Sequence, residues 1–234
     1  MKKAFSLRAV AAAVALSSSA VALPGAAQAE VSSDLTISSM YLWRGMDISD
    51  GKPALSSTIQ YDHANGFYAG TWFSTEGTPA TGDQATGTPG TNGSSYEIDA
   101  YLGYAKSFGD YGIDVGYAVY MYPQAHGQIG DSDISEYIIG GSWKDLSATV
   151  YINAEPDDFD DYVYYSVDYG YKKFGFHYGM TDVSSDADYT DMSVSYAVTE
   201  EMTWTLSKAD GDGVPSETTA DEPLIMVSYS VPLK

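Results

Sequence analysis

The sequence predicts an all-β chain: a 12-stranded antiparallel transmembrane β-barrel with short periplasmic turns and long extracellular loops. Three observations predict it. The N-terminus reads as an export signal. The rest of the chain alternates apolar and polar residues with period two. The connectors alternate long and short from one end of the chain to the other.

The N-terminal element comes first. Lys2, Lys3 and Arg8 precede an uncharged run from Ala9 to Ala29 that ends Ala27-Gln28-Ala29 before Glu30. A basic region, an apolar region and a small-x-small site make a secretory signal peptide. Residues 1–29 are expected to be cleaved, and residues 30–234 to form the barrel. Ser17, Pro24 and Gly25 interrupt the run and argue against a retained helical anchor. Cleavage removes three positive charges and no negative one, taking the formal charge from -21 to -24. With 32 Asp plus Glu against 11 Lys plus Arg, the chain is no binder of nucleic acid or anionic surfaces. With no Cys it holds neither a disulfide nor a Cys-ligated metal.

Twelve alternating runs make up the remainder, near 34–44, 54–64, 67–75, 96–106, 112–122, 134–143, 146–154, 162–171, 174–181, 189–197, 202–209 and 224–233. In the first, Leu35, Ile37, Tyr41 and Trp43 share one face and Thr36, Ser38 and Arg44 the other. In the fourth, Ile98, Ala100, Leu102 and Tyr104 alternate with Glu97, Asp99, Gly103 and Ala105. Every second residue on one side is a strand signal, which helical spacing does not give. The connectors are 45–53, 65–66, 76–95, 107–111, 123–133, 144–145, 155–161, 172–173, 182–188, 198–201 and 210–223. Asn65-Gly66 is hairpin chemistry and Lys144-Asp145 a tight link. An even strand count with every long loop at one end fits an outer-membrane barrel, both termini periplasmic. The apolar face then meets lipid. Tyr61, Tyr104, Tyr169, Tyr171 and Tyr196, with Trp43 and Trp143, sit where aromatic girdles form.

The other parity lines a lumen. Asp62, Glu97, Asp99, Asp114, Glu136, Asp168 and Asp191 face inward, with Arg44 as the basic residue among them. Arg44, Glu97, Asp99, Glu136 and Asp191 fall near the long-loop end and suit a charged constriction; carboxylate rings favour cations. Asp62, Asp114 and Asp168 lie elsewhere on the same face. Twelve strands lie between filled eight-stranded barrels and open porins, which suits a narrow channel. The long connectors hold 19 of the 32 acids, with Lys52 their only base. Asp157, Asp158, Asp160 and Asp161 form the densest group and are weak candidates for a divalent cation, bridging lipopolysaccharide phosphates. The 76–95 loop, rich in Gly, Thr and Ser, is a candidate plug.

No enzyme is expected. His63, His126 and His177 have no Ser or Asp at motif spacing, and each reads as a solvated or lumen polar residue. No cofactor is expected.

Several segments resemble the TorF-type porin family of proteobacterial outer membranes. They are Tyr41-Leu42-Trp43-Arg44-Gly45 with Ser49-Asp50-Gly51 and Pro53, Gly66-Phe67-Tyr68-Ala69-Gly70 with Trp72, Glu97-Ile98-Asp99, and Asp114-Val115-Gly116-Tyr117. The resemblance implies a barrel and a porin role, and no particular solute. One departure stands out. Such barrels commonly end in an aromatic residue read by the barrel assembly machinery, whereas this chain ends Pro232-Leu233-Lys234. The expected function is passive diffusion of small hydrophilic solutes across the outer membrane, cations preferred. The alternative is a non-conducting surface barrel with acidic, cation-binding loops. Its expected partners are outer-membrane lipid, lipopolysaccharide, the assembly machinery and the solutes, with no nucleic acid.

Overall fold

Period-two patterning becomes strand almost throughout the computed structural model, which describes residues 29–75, 96–122, 134–154, 161–184, 187–214 and 222–233. The expected signal peptide and the 76–95 loop lie outside the described residues. So do His126, Asp157, Asp158 and Asp160.

In chain order the strands are β1 (Glu30–Ser38), β2 (Leu42–Trp43), β3 (Met46–Asp47), β4 (Ala54–Asp62), β5 (Phe67–Thr75), β6 (Tyr96–Phe108) and β7 (Tyr111–Met121). They continue as β8 (Ile134–Trp143), β9 (Leu146–Asn153), β10 (Tyr162–Tyr171), β11 (Phe174–Val183), β12 (Tyr189–Ala197), β13 (Met202–Gly211) and β14 (Leu224–Pro232). Twelve of them close an antiparallel barrel, and β2 and β3 form a separate hairpin. The described residues include no helix. Closure is made by β1, which pairs β14 on one side and β4 on the other, with Ile37 opposite both Tyr229 and Leu55. A closed ladder leaves no sheet edge with unpaired N–H and C=O groups.

The short turns set the registers. Trp143 pairs Leu146 across Lys144-Asp145, and Tyr171 pairs Phe174 across Lys172-Lys173. Both turns place their first lysine at positive φ, 53° and 57°. At Asn65-Gly66 the turn is wider. The Gly66 N–H donates to His63 O and the His63 N–H to Phe67 O, with Gly66 at φ 107°.

The two faces of the sheet differ as the alternation requires. Leu102, Ile113, Val115, Ile139, Val167, Leu206 and Ile225 point out and are exposed. Glu97, Asp99, Tyr151, Tyr164, Ser166, Asp191 and Thr205 point in and are buried. Tyr61, Tyr169, Tyr171, Tyr196 and Trp143 are on the outside, as the girdle reading expects.

One element departs from the sequence reading, which has a first strand over 34–44 with Tyr41 and Trp43 facing outward. Instead β1 ends at Ser38, and residues 40–49 fold into the barrel. Tyr41, Leu42, Trp43, Arg44 and Met46 are buried there. Trp43 is therefore no part of an outer girdle. The reason is local. Arg44, Gly45, Asp50 and Gly51 all have positive φ, which a continuous strand does not accommodate. β2 is itself extended, so its alternation looks like more of β1. With it the core lies inside the barrel at the long-loop end. Tyr41, Trp43 and Met46 pack with Ala54, Trp72 and Tyr189, beside a second cluster that includes Tyr120, Ile134, Ile138 and Tyr164.

Candidate functional site

The hairpin is built from its own polar side chains. Leu42 pairs Asp47 and Trp43 pairs Met46, so Arg44 and Gly45 form a two-residue turn. Their φ values, 43° and 82°, are both positive, as a type I′ turn demands. Gly45 takes that conformation freely, whereas Arg44 adopts it at a strain of about 1–2 kcal/mol. At the base, Asp47 Oδ1 accepts the Ser49 N–H at 2.9 Å and the Ser49 hydroxyl at 2.6 Å, and its Oδ2 accepts the Gly51 N–H at 2.7 Å. Ser49 Oγ in turn accepts the Tyr41 N–H at 2.8 Å. This bracing accounts for Ser49-Asp50-Gly51 as a turn and for the complete burial of Ser49.

The turn delivers Arg44 to the far wall. Its Nη2 donates to Glu136 Oε1 at 2.6 Å, with side-chain exposures of 1% and 0%. Tyr162 donates to the same oxygen at 2.8 Å and Tyr120 to Glu136 Oε2 at 2.7 Å. The guanidinium also lies 4.2 Å from the Tyr164 ring centre and 4.5 Å from that of Trp43. Tyr151 and Tyr162 face it at 5.1 and 5.8 Å. An aromatic cage of this kind stabilises a desolvated cation by up to about 2 kcal/mol per favourable ring.

Two further contacts fix the hairpin. The Tyr41 hydroxyl donates to Glu97 Oε2 at 2.8 Å, and its ring packs on Trp72 at 5.4 Å. Gly45 lies against β12 and β13, where a Cβ would stand 2.5 Å from Asp191 Cβ and 3.0 Å from Ala209 Cβ. The hairpin is thus held by β5, β6, β8, β10, β12 and β13, and Leu42 packs on Leu224 and Met226 of β14.

Below it, the structure assembles a group that spacing alone did not reveal. His177 Nδ1 is 2.7 Å from Asp168 Oδ1, and Nε2 is 2.8 Å from Asp191 Oδ2. The Tyr164 hydroxyl joins at 2.9 Å from Nε2 and donates to Asp191 Oδ1 at 3.1 Å. His177, expected to be solvated or a simple lumen residue, is buried between two carboxylates. A signal for this was present: the Lys172-Lys173 turn puts Asp168 opposite His177.

The expected lumen residues have distinct surroundings. Glu97, Asp99, Glu136 and Asp191 are buried inside near the long-loop end, and Arg44 meets Glu136 alone among them. Asp114 accepts the Tyr68 hydroxyl at 2.9 Å, and Asp62 accepts the Gln60 amide at 2.9 Å. Asp34, absent from the expected set, shares their inward face through its pairing with Thr58. Tyrosine recurs as the partner of interior acids, beside small residues that leave it room. Tyr164 lies over Gly179 and Tyr68 over Gly103, where a Cβ would collide with each hydroxyl. Asp161 is exposed and stands apart from this interior.

Closed barrel, apolar exterior and a braced hairpin inside define a class: a β-barrel filled at one end by its own first long connector. The chain belongs to the Gcw_chp family, described as "Bacterial protein of unknown function", whose profile matches residues 22–224. No curated protein matches it. Among solved structures it is similar to the KdgM porin, at 10% identity, TM-score 0.46, over 88% of this chain and 99% of that one. It is similar to the NanC porin at 13%, TM-score 0.45, over 86% and 97%. Outer membrane phospholipase A from Escherichia coli is similar at 11%, TM-score 0.44, over 87% and 90%. At such identity and TM-score, no activity is carried over from any of them.

Proposed function

We propose that the chain is an outer-membrane channel for passive diffusion of small hydrophilic solutes, narrow and cation-preferring, with both termini periplasmic. The observation that carries the reading is the sorting of charge inside a closed barrel. Acids at Asp34, Asp62, Glu97, Asp99, Asp114, Glu136, Asp168 and Asp191 face inward, against Arg44 and His177. A passage bordered by carboxylates attracts cations and repels anions. The membrane setting rests on the outer surface. A belt of exposed Leu, Ile, Val and aromatic residues is costly in water and favourable in lipid, and the closed ladder satisfies the backbone there. Strands of 8 to 13 residues have the length such a crossing needs. Membership of the TorF-type porins, a cleaved signal peptide and delivery by the barrel assembly machinery are part of the same proposal.

Purified protein in planar bilayers tests it. Conductance steps with a reversal potential of cation sign are expected; no steps, or anion selectivity, would sink the reading. One observation favours a second reading, a non-conducting surface barrel. The cavity between the hairpin and the β1–β4–β5 wall measures only about 20 Å³, enough for a water molecule. Replacing the hairpin discriminates: a plugged barrel gains conductance only when it is gone.

A further inference from the structure

We infer that the short-turn rim carries two binding sites for the phosphates of anionic phospholipid, one across β6–β8 and one across β10–β13. Each is a row of outward aromatic rings with two lysines held over it. The inference rests on the membrane setting and orientation proposed above and goes beyond them; it does not depend on conduction.

Register aligns the rings. Phe108 pairs Tyr111 and Tyr111 pairs Trp143, so three outward rings stand side by side across β6, β7 and β8. Tyr171 pairs Phe174, Phe174 pairs Tyr196 and Tyr196 pairs Trp204, which sets four more across β10 to β13. All seven are exposed. Aromatic rings on the outer surface near strand ends mark the headgroup level of a bilayer.

Each row holds two lysines. Lys106 Nζ lies 5.6 Å from the Phe108 ring centre, and Lys144 Nζ 5.0 Å from that of Trp143. Lys172 Nζ lies 5.0 Å from the Tyr171 ring centre, and Lys173 Nζ 5.8 Å from that of Tyr196. Lys106 shares the outward parity of Leu102 and Phe108, so its stem covers lipid-facing surface while its ammonium leans toward the turn. A ring face holds an ammonium in place electrostatically and leaves N–H donors for a phosphate oxygen. Lys173 also donates to Val198 O at 3.2 Å, and Lys144 stands 4.0 Å from Asp110. Both contacts are exposed, and an exposed pair of that kind is weak.

The position of the charges favours a lipid as the occupant. A headgroup at ring level reaches all four ammonium groups. A protein docking on the turns from the periplasm also meets Asp110 and Asp145, which stand exposed in the same turns. The rest of this end carries Glu30, Glu200 and Glu201 and, among the described residues, no lysine or arginine. Lysines near a bilayer surface favour an anionic headgroup over a zwitterionic one.

The tryptophans make the test local. Trp43 and Trp72 are buried inside the barrel. Trp204→Phe therefore leaves Trp143 as reporter of the first row, and Trp143→Phe leaves Trp204 as reporter of the second. Each variant is folded into phosphatidylcholine vesicles and checked by heat-modifiable migration. The vesicles contain either phosphatidylglycerol or phosphatidylcholine brominated in its acyl chains, and fluorescence quenching gives the relative association of the two lipids. Phosphatidylglycerol should be favoured about twofold at both reporters. Lys106→Gln with Lys144→Asn should abolish the preference at Trp143 and keep it at Trp204; Lys172→Asn with Lys173→Gln should do the reverse. Asparagine suits the positive φ of Lys144 and Lys172. Equal association of the two lipids overturns the inference. So does a preference that either pair of substitutions lowers alike at both reporters, because diffuse surface charge then replaces two sites. If neither lipid quenches either tryptophan, the membrane setting itself is overturned.

Discussion

Arg44 is where a single residue decides most. Removing its side chain leaves Glu136 buried without its cation, and breaking a buried pair from one side costs about 3–5 kcal/mol. Arg44→Ala should therefore lower the unfolding midpoint in denaturant. The double variant Arg44→Met with Glu136→Met should recover much of that loss, because two apolar side chains leave no charge to desolvate. If the double variant is no more stable than the single one, the pair is not what stabilises this region. Gly45 is the second such residue. Its φ of 82° and the 2.5 Å approach of a Cβ to Asp191 make Gly45→Ala unfavourable on two independent grounds. A loss of at least about 1–2 kcal/mol is expected, together with displaced hairpin contacts. An undiminished denaturation midpoint would show that the turn is not held against β12.

At the scale of elements, the inserted hairpin matters most. Ser38 pairs Ala54 directly, so the barrel does not need residues 39–53 to connect β1 to β4. Replacing them with Asn-Gly gives a tight turn compatible with the strand twist. The variant should fold, since the twelve-strand ladder is untouched, and should show larger unit conductance than the parent in bilayers. Unchanged conductance would mean that the hairpin does not limit the passage. The β10–β11 hairpin shows how far a turn reaches. The turn at Lys172-Lys173 fixed the register, and the register put His177 beside Asp168. What the turn did not reveal was Asp191, on the next strand β12 and brought to the other ring nitrogen by the β11–β12 pairing.

For the whole molecule, the distribution of charge is the relevant quantity. The exterior belt is nearly free of charge, while acids gather inside and at the long-loop end. Selectivity from such fixed charges is screened by salt, with a Debye length near 10 Å at 0.1 M and about 3 Å at 1 M. The proposed cation preference should accordingly weaken in bilayers as the salt on both sides rises from 0.1 to 1 M. A preference independent of salt would point to steric selection instead.

The alternation of Ile, Val, Leu and Tyr with Ser, Thr, Asp and Gly determined the strands, their inward and outward faces and their even number. Period two is a local property, and each face has one environment along its whole length. Tight turns such as Lys144-Asp145 and Lys172-Lys173 determined most registers for the same reason. The first long connector was different. Tyr41 and Trp43 have the outward parity of β1, and parity says only which side of a given strand a residue takes. It cannot say that the strand has ended and another hairpin has begun, nor that the new hairpin turns into the lumen. That was decided by contacts far apart in sequence: Arg44 with Glu136, Tyr41 with Glu97, Gly45 with Asp191 and Ala209. Closing the barrel created an interior that was acidic and aromatic enough to hold an arginine. The same closure separated the acids into those engaged by the hairpin or by His177 and those left accessible on β1 and β4.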